Sequence, residues 1–306
     1  MLSSKLILGK PDAKRRFALF GIPYDASSSL TRPGARFAPG RIRDAIQQNL
    51  LFRIQDNAFY DVEGERLIRL DGYALDDYGD IFVSGHDHMA TYERARQYMA
   101  EILASGAFPI VLGGDHSASI PLMKAFHDHT ARPLGIIHMD AHLDLMDESP
   151  RQGRYSGSSP MRRALDLERF QPKNLVQVGV RGFNYPNQYE YITSQGIHHI
   201  TASKLNAMGA KSAAEQALEL AGAGGARVYL SLDADVMDHA FAPGIGMEEA
   251  GGLTSSQVLQ FVRIVAPHIA AMDIVEVNPL MDKVDVTSNI AAHTIFTVIA
   301  ARIAAG

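Results

Sequence analysis

The stretch Leu134–Asp144, LGIIHMDAHLD, limits what this chain can fold into more than any other. An apolar run through Leu134, Ile136 and Ile137 ends in Asp140, His142 and Asp144, three metal-ligand types at alternate positions. Alternate side chains of an extended backbone share a side, so the three would converge beyond the carboxyl end of one buried strand. One strand cannot enclose an ion. Further ligands must arrive at the same place from other strand ends.

The chain has such strands. Phe17–Ile22, Phe108–Leu112, Asn174–Val180, Arg227–Leu232 and Ala271–Val277 read as short apolar strands, with weaker ones at Gly79–Val83 and Gly196–Thr201. Segment 23–46 reads as a loop over the end of the first strand that becomes a helix near Pro39. Further helices are expected over Asp87–Ser105, Ala118–His127, Pro160–Leu165 and Ala213–Ala221, near Thr254, and over Val286–Ala304, while 57–80 carries no clear pattern. Strands separated by helices predict right-handed crossovers and a parallel sheet in an α/β fold. Without a repeat or a linker, residues 1–306 are expected to form a single domain.

Composition narrows the function. Thirty-four acids against 29 bases give a net charge of −5, with no basic run of the kind a nucleic-acid binder displays. The chain has no cysteine, which excludes a thiolate zinc site and a thiol nucleophile. The N-terminal apolar stretch is too short for a secretory signal, and no run reads as a bilayer span, so neither a membrane partner nor a location outside the cytoplasm is expected.

Four strand ends carry the chemistry: His116; then Asp140, His142 and Asp144; then Asp233 and Asp235; and lastly Glu276. In an open parallel sheet, ligands bind beyond the carboxyl ends of the strands, which brings these groups to one edge. So many carboxylates together repel one another unless a cation is present. Four aspartates and two histidines suit two divalent ions that share carboxylates, and oxygen with imidazole ligation fits manganese, with nickel, cobalt or zinc as alternatives on the same groups. Such a pair lowers the pKa of a bound water and favours hydrolysis at an electrophilic carbon or phosphorus. Glu276 would attract a cationic substrate and repel a phosphate.

The segments GGDHS at 113–117, DAHLD at 140–144, SLDADVMD at 231–238 and MDIVEVNP at 272–279 resemble the motifs of the ureohydrolase family. That family includes arginase, agmatinase, guanidino-acid hydrolases and formimidoylglutamase. GIPYD at 21–25, RPGARFAPGRIR at 32–43 and FAPGIGMEEAGGLTS at 241–255 extend the similarity over nearly the whole chain in order. The resemblance implies a three-layer αβα fold and two Mn2+ ions, with His116 and Asp144 on one ion, His142 and Asp235 on the other, and Asp140 and Asp233 shared. It also implies that a metal-bridging hydroxide oriented by Asp144 attacks the carbon of a linear amidine held by Glu276, in a homo-oligomeric enzyme.

One departure stands out. Where many family members carry a His-Gly-Thr segment with a proton-shuttling histidine, this chain has Gly157 within YSGSSP. Formimidoylglutamases share that departure and a non-proline residue after DxDxxD, here His239, a candidate substitute acid. A substrate with a carboxylate tail would call for Arg154, Arg162 or Arg181, and agmatine for Asp147 or Glu148. Arg181 is also a candidate for a structural ion pair. The competing readings are a catalytically silent metal- and ligand-binding protein, suggested by Gly157, and a phosphoesterase, disfavoured by Glu276.

Overall fold

The computed structural model describes residues 2–27 and 32–306. In chain order the elements are β1 (Lys5–Gly9), β2 (Arg15–Gly21), α1 (Ala38–Asn49), β3 (Ala58–Asp61), β4 (Arg66–Arg69), β5 (Tyr73–Asp80), α2 (His88–Ala104), β6 (Phe108–Leu112), α3 (Ser119–His129) and β7 (Leu134–Met139). They continue with α4 (Pro160–Leu165), β8 (Phe170–Val178), α5 (Pro186–Gln195), β9 (His198–Ile200), α6 (Ala202–Met208), α7 (Ala210–Ala221), β10 (Arg227–Asp233), α8 (Ser255–Val265), β11 (Ile269–Val275) and α9 (Val286–Ala305). Part of the loop expected over 23–46 lies outside the described residues.

Among the described residues, nine strands form one sheet in the order β1-β5-β2-β6-β11-β10-β7-β8-β9, and β3 pairs separately with β4. Every neighbour pair in the large sheet is parallel except β1 with β5. The central strands β6 and β7 are buried along their whole length, as apolar runs covered on both faces must be. Successive residues alternate between two cores. Phe17 and Leu19 of β2 join Val228 and Leu230 of β10 on the face covered by α1, α7, α8 and α9. Ala18, Phe20 and Tyr229 pack on the other, against α2, α3 and α4. The result is three layers.

Two sequence expectations change here. Strand β5 begins at Tyr73, six residues before the expected start at Gly79, and β1, the β3–β4 hairpin, α5 and α6 were not expected at all. Helix α9 is also long and apolar enough to cross a membrane, contrary to the reading that no run could span one; 61% of its apolar window is buried inside the molecule.

The sheet delivers its loops at the carboxyl edge. After β6 the chain turns through Gly113 and Gly114. A Cβ on Gly114 would stand 1.8 Å from the carbonyl oxygen of Tyr24, so only glycine lets this turn close onto the first loop. The Asp115 N–H then donates to that same carbonyl at 2.8 Å, and His116 follows.

Candidate metal centre

His116 is fully buried just beyond β6, and its Nδ1 faces three carboxylates: Asp144 at 2.8 Å, Asp140 at 3.1 Å and Asp233 at 3.1 Å. The other ring nitrogen settles the proton. Asp273 as a carboxylate only accepts, and it takes the hydroxyl hydrogen of Ser231 at 2.8 Å and that of Tyr229 at 2.7 Å. Having given its hydrogen away, Ser231 Oγ accepts from His116 Nε2 at 3.0 Å. His116 in its neutral form therefore turns a bare Nδ1 lone pair toward three oxygens.

Lone pairs crowded together in this way repel one another unless a proton or a metal cation lies between them. His142 contributes a second such cluster, with Nδ1 at 2.9 Å from Asp235 and 3.5 Å from Asp140. Burial, and then Asp235 and Asp140, push the Asp233 carboxyl well above its usual range; burial and Asp140 also raise Asp144. Burial opposes charge on His116 and His142, yet the surrounding carboxylates outweigh it and raise both imidazoles. Protons occupy the cluster when no metal does, so metal must compete with them. The donor set of carboxylate oxygens and imidazole nitrogens fits hard or borderline divalent ions.

Backbone amides hold the carboxylates in place. Asp140 accepts from the His142 N–H at 2.5 Å, Asp235 from the Ala141 N–H at 3.1 Å, and Asp233 from the Asp235 N–H at 2.8 Å. Asp144 sits in the left-handed region with φ 51°, and its carbonyl accepts from the first turn of α4 at Met161 and Arg162. Glu276 is left-handed as well, with φ 59°, and lies one residue past β11. Its Oε1 accepts from the His116 N–H at 2.9 Å, and burial followed by Asp115 pushes its carboxyl well above the usual range.

These groups open into a cavity of about 560 Å³, lined by His116, His142, Asp144, Asp233, Asp235 and Glu276 and, at Gly157, by bare backbone. Asp140 lies beneath it, fully buried. A Cβ on Gly157 would stand 3.6 Å from Glu276 Oε1, so that position adjoins the carboxylate and carries no proton donor.

The structure brings the six candidate ligands and Glu276 together and leaves Arg181 out. The Arg181 guanidinium donates to the carbonyls of Gly179, Asp235, Val236, Met237 and Glu249, and among the described residues it neither lines the cavity nor forms an ion pair. Arg154 pairs with Asp147 and Asp166, Arg162 lies over the Tyr191 ring at 4.2 Å, and His239 is exposed away from the cavity. Glu148, too, is absent from the lining. In their place, Arg151 and Glu249 line it.

A further residue was missed. His138 is fully buried, with Nε2 2.7 Å from Asp140 Oδ2, and joins His116, Asp140 and Asp144 in one cluster. The two-residue alternation that marks Asp140, His142 and Asp144 extends back to it and was the available signal.

The chain is similar to known proteins over nearly its whole length. The profile of the arginase family matches residues 15–301. The mitochondrial agmatinase of Gallus gallus is 33% identical over 281 residues, which covers 91% of this chain and 78% of that protein. The guanidinopropionase of Pseudomonas aeruginosa is 32% identical over 286 residues, covering 93% and 86%. The crystal structure of formimidoylglutamase from Bacillus subtilis superposes with a TM-score of 0.85 at 28% identity, covering 97% of this chain and 90% of that one.

Proposed function

This chain belongs to the arginase family, and on that premise we propose that it hydrolyses a carbon–nitrogen bond of a linear amidine, a guanidino or formimino compound. In this reading residues 1–306 act as one domain, and His116, Asp140, His142, Asp144, Asp233 and Asp235 hold two Mn2+ ions. The observation that carries it is the buried Nδ1 of His116 set within 3.1 Å of three carboxylates. Bound there, a pair of divalent ions supplies Lewis acidity and water activated as a nucleophile at neutral pH.

The chain's own groups do the rest. Glu276 binds the amidinium through a buried carboxylate that lines the cavity. Asp144, fixed by its left-handed backbone and by α4, orients the nucleophile over the amidine carbon. The tail of the substrate lies along the wall that holds Arg151 and Glu249, where Arg151 would meet a carboxylate and Glu249 an ammonium group. Proton delivery to the leaving nitrogen does not come from position 157.

Incubation of manganese-loaded protein with agmatine, arginine, guanidinobutyrate and formimidoylglutamate, followed by product analysis, tests this reading. Release of urea, formamide or ammonia from one of them is expected. The variants Arg151→Ala and Glu249→Ala then report which tail is recognised, by which one raises KM. Gly157 favours a second reading, a protein that binds metal and amidine without turnover; metal binding with no product across the panel would establish that instead.

A further inference from the structure

A row of polar side chains crosses the sheet one level below the candidate ligands. Asp273 of β11, Ser231 of β10, His138 of β7, Gln177 of β8 and His199 of β9 are successive register partners on five adjacent parallel strands. All but His199 are completely buried. The Asp273 half of the row sets the proton of His116, as described above. The other half acts on Asp140.

Its hydrogen bonds run in one direction. Gln177 Nε2 lies 2.6 Å from the carbonyl oxygen of Leu143, which can only accept, so the atom on that side of the amide is its NH2 group. The second hydrogen of that group points to His138 Nδ1 at 3.0 Å, which must then be the unprotonated nitrogen. The Gln177 carbonyl is left to accept from His199 Nε2 at 2.9 Å. With Nδ1 occupied as an acceptor, the single proton of neutral His138 sits on Nε2, 2.7 Å from Asp140 Oδ2.

The two imidazoles of this cluster are thus set in opposite senses. His116 offers a lone pair, and His138 offers a hydrogen. We infer that His138, held in one tautomer by Gln177, is a positioning residue that locks the carboxylate of Asp140 for metal and is not itself a ligand. This rests on the proposal that Asp140 holds metal. With Oδ2 bound by His138 and Oδ1 by the His142 N–H, both oxygens are fixed before any ion arrives. Hydrogen bonds that orient metal ligands from behind in this way are worth about 10- to 100-fold in metal affinity.

The test is calorimetric titration of the chelator-stripped chain with manganese(II) chloride, alongside melting of the metal-free protein. His138→Leu removes the hydrogen donor; His138→Gln can place an amide N–H at the position of Nε2 but is a poor ligand. Gln177→Leu releases the tautomer and serves as well if His138→Leu does not fold. We expect His138→Leu and Gln177→Leu to weaken manganese binding by about 10- to 100-fold with unchanged stoichiometry, and His138→Gln to stay within about threefold of the parent. Loss of one equivalent of manganese in both His138 variants would overturn the inference by making His138 a ligand. Unaltered affinity with lowered melting in all three would reduce the row to packing and overturn it as well. If the unsubstituted chain binds no manganese, the reading on which the inference rests fails, and that result is distinct from either of the others.

Discussion

Glu276 shows most plainly how stability and function oppose each other in this molecule. Its backbone is left-handed and its carboxyl is raised well above the usual range, first by burial and then by Asp115. Because the folded pKa lies above the unfolded one, Glu276 costs stability as pH rises past the unfolded value, and the cost disappears as pH falls below it. Glu276→Gln should therefore raise the melting temperature of the metal-free protein, since the amide oxygen can still accept from the His116 N–H. The same change should lower kcat/KM by about 100-fold, the scale of losing one partner of a buried charge pair. Wild-type activity in this variant would remove Glu276 from substrate binding. Arg181 makes the complementary case. It pins the chain after β10 and the Glu249 segment by donating to five carbonyls. Arg181→Met is expected to destabilise the fold by about 3 kcal/mol, measured by urea unfolding, because buried carbonyls lose a charged donor. A KM change without a stability change would return Arg181 to the substrate.

Among the elements, β9 is a three-residue edge strand whose middle residue, His199, closes the polar row. Burial, and then Lys204, lower its pKa to about 4. Above pH about 6.5, the unfolded value, His199 is neutral in both states and its contribution is complete. As pH falls from there toward 4, the unfolded chain takes up a proton that the folded one refuses, so stability drops, by about 2 kcal/mol after allowance for partial exposure. In His199→Gln that share should be missing: the stability difference between parent and variant shrinks between pH 7 and 4.5 in urea titrations of metal-free protein, and a constant difference would refute the assignment. The same scale explains which elements were legible. Strands β6, β7, β10 and β11 are apolar runs buried on both faces, and their period-two pattern locates both the strands and the candidate ligands at their ends. Strand β5 hides because YALDDYGD holds three aspartates, which are matched by Arg16 and Arg43 and not by apolar burial. Strand β1 hides because it is a half-exposed antiparallel edge. His138 and Gln177 hid for the opposite reason, being polar residues inside strands whose partners are set by sheet register.

At the scale of the whole molecule, the mostly parallel sheet with helices on both faces is the arginase-like fold that the motifs implied, and it superposes on its relatives over nearly all of its length. Parallel strands point every carboxyl end one way, and that shared direction turns four separate motifs into one cluster. Distant parts of the chain are committed to it: position 116 meets 233 and 276, and segment 113–116 is tied to the first loop at Tyr24. What the sequence could not supply is the far wall of the cavity, because Arg151 and Glu249 lie on irregular loops whose approach no periodicity encodes. In the proposed centre, six residues from three strand ends hold two ions. Anomalous diffraction from a manganese-soaked crystal, collected on either side of the manganese absorption edge, tests it most directly. Two peaks are predicted, one between His116 and Asp144 and one between His142 and Asp235, with Asp140 and Asp233 within reach of both. A single peak, or none at these residues, would contradict the account.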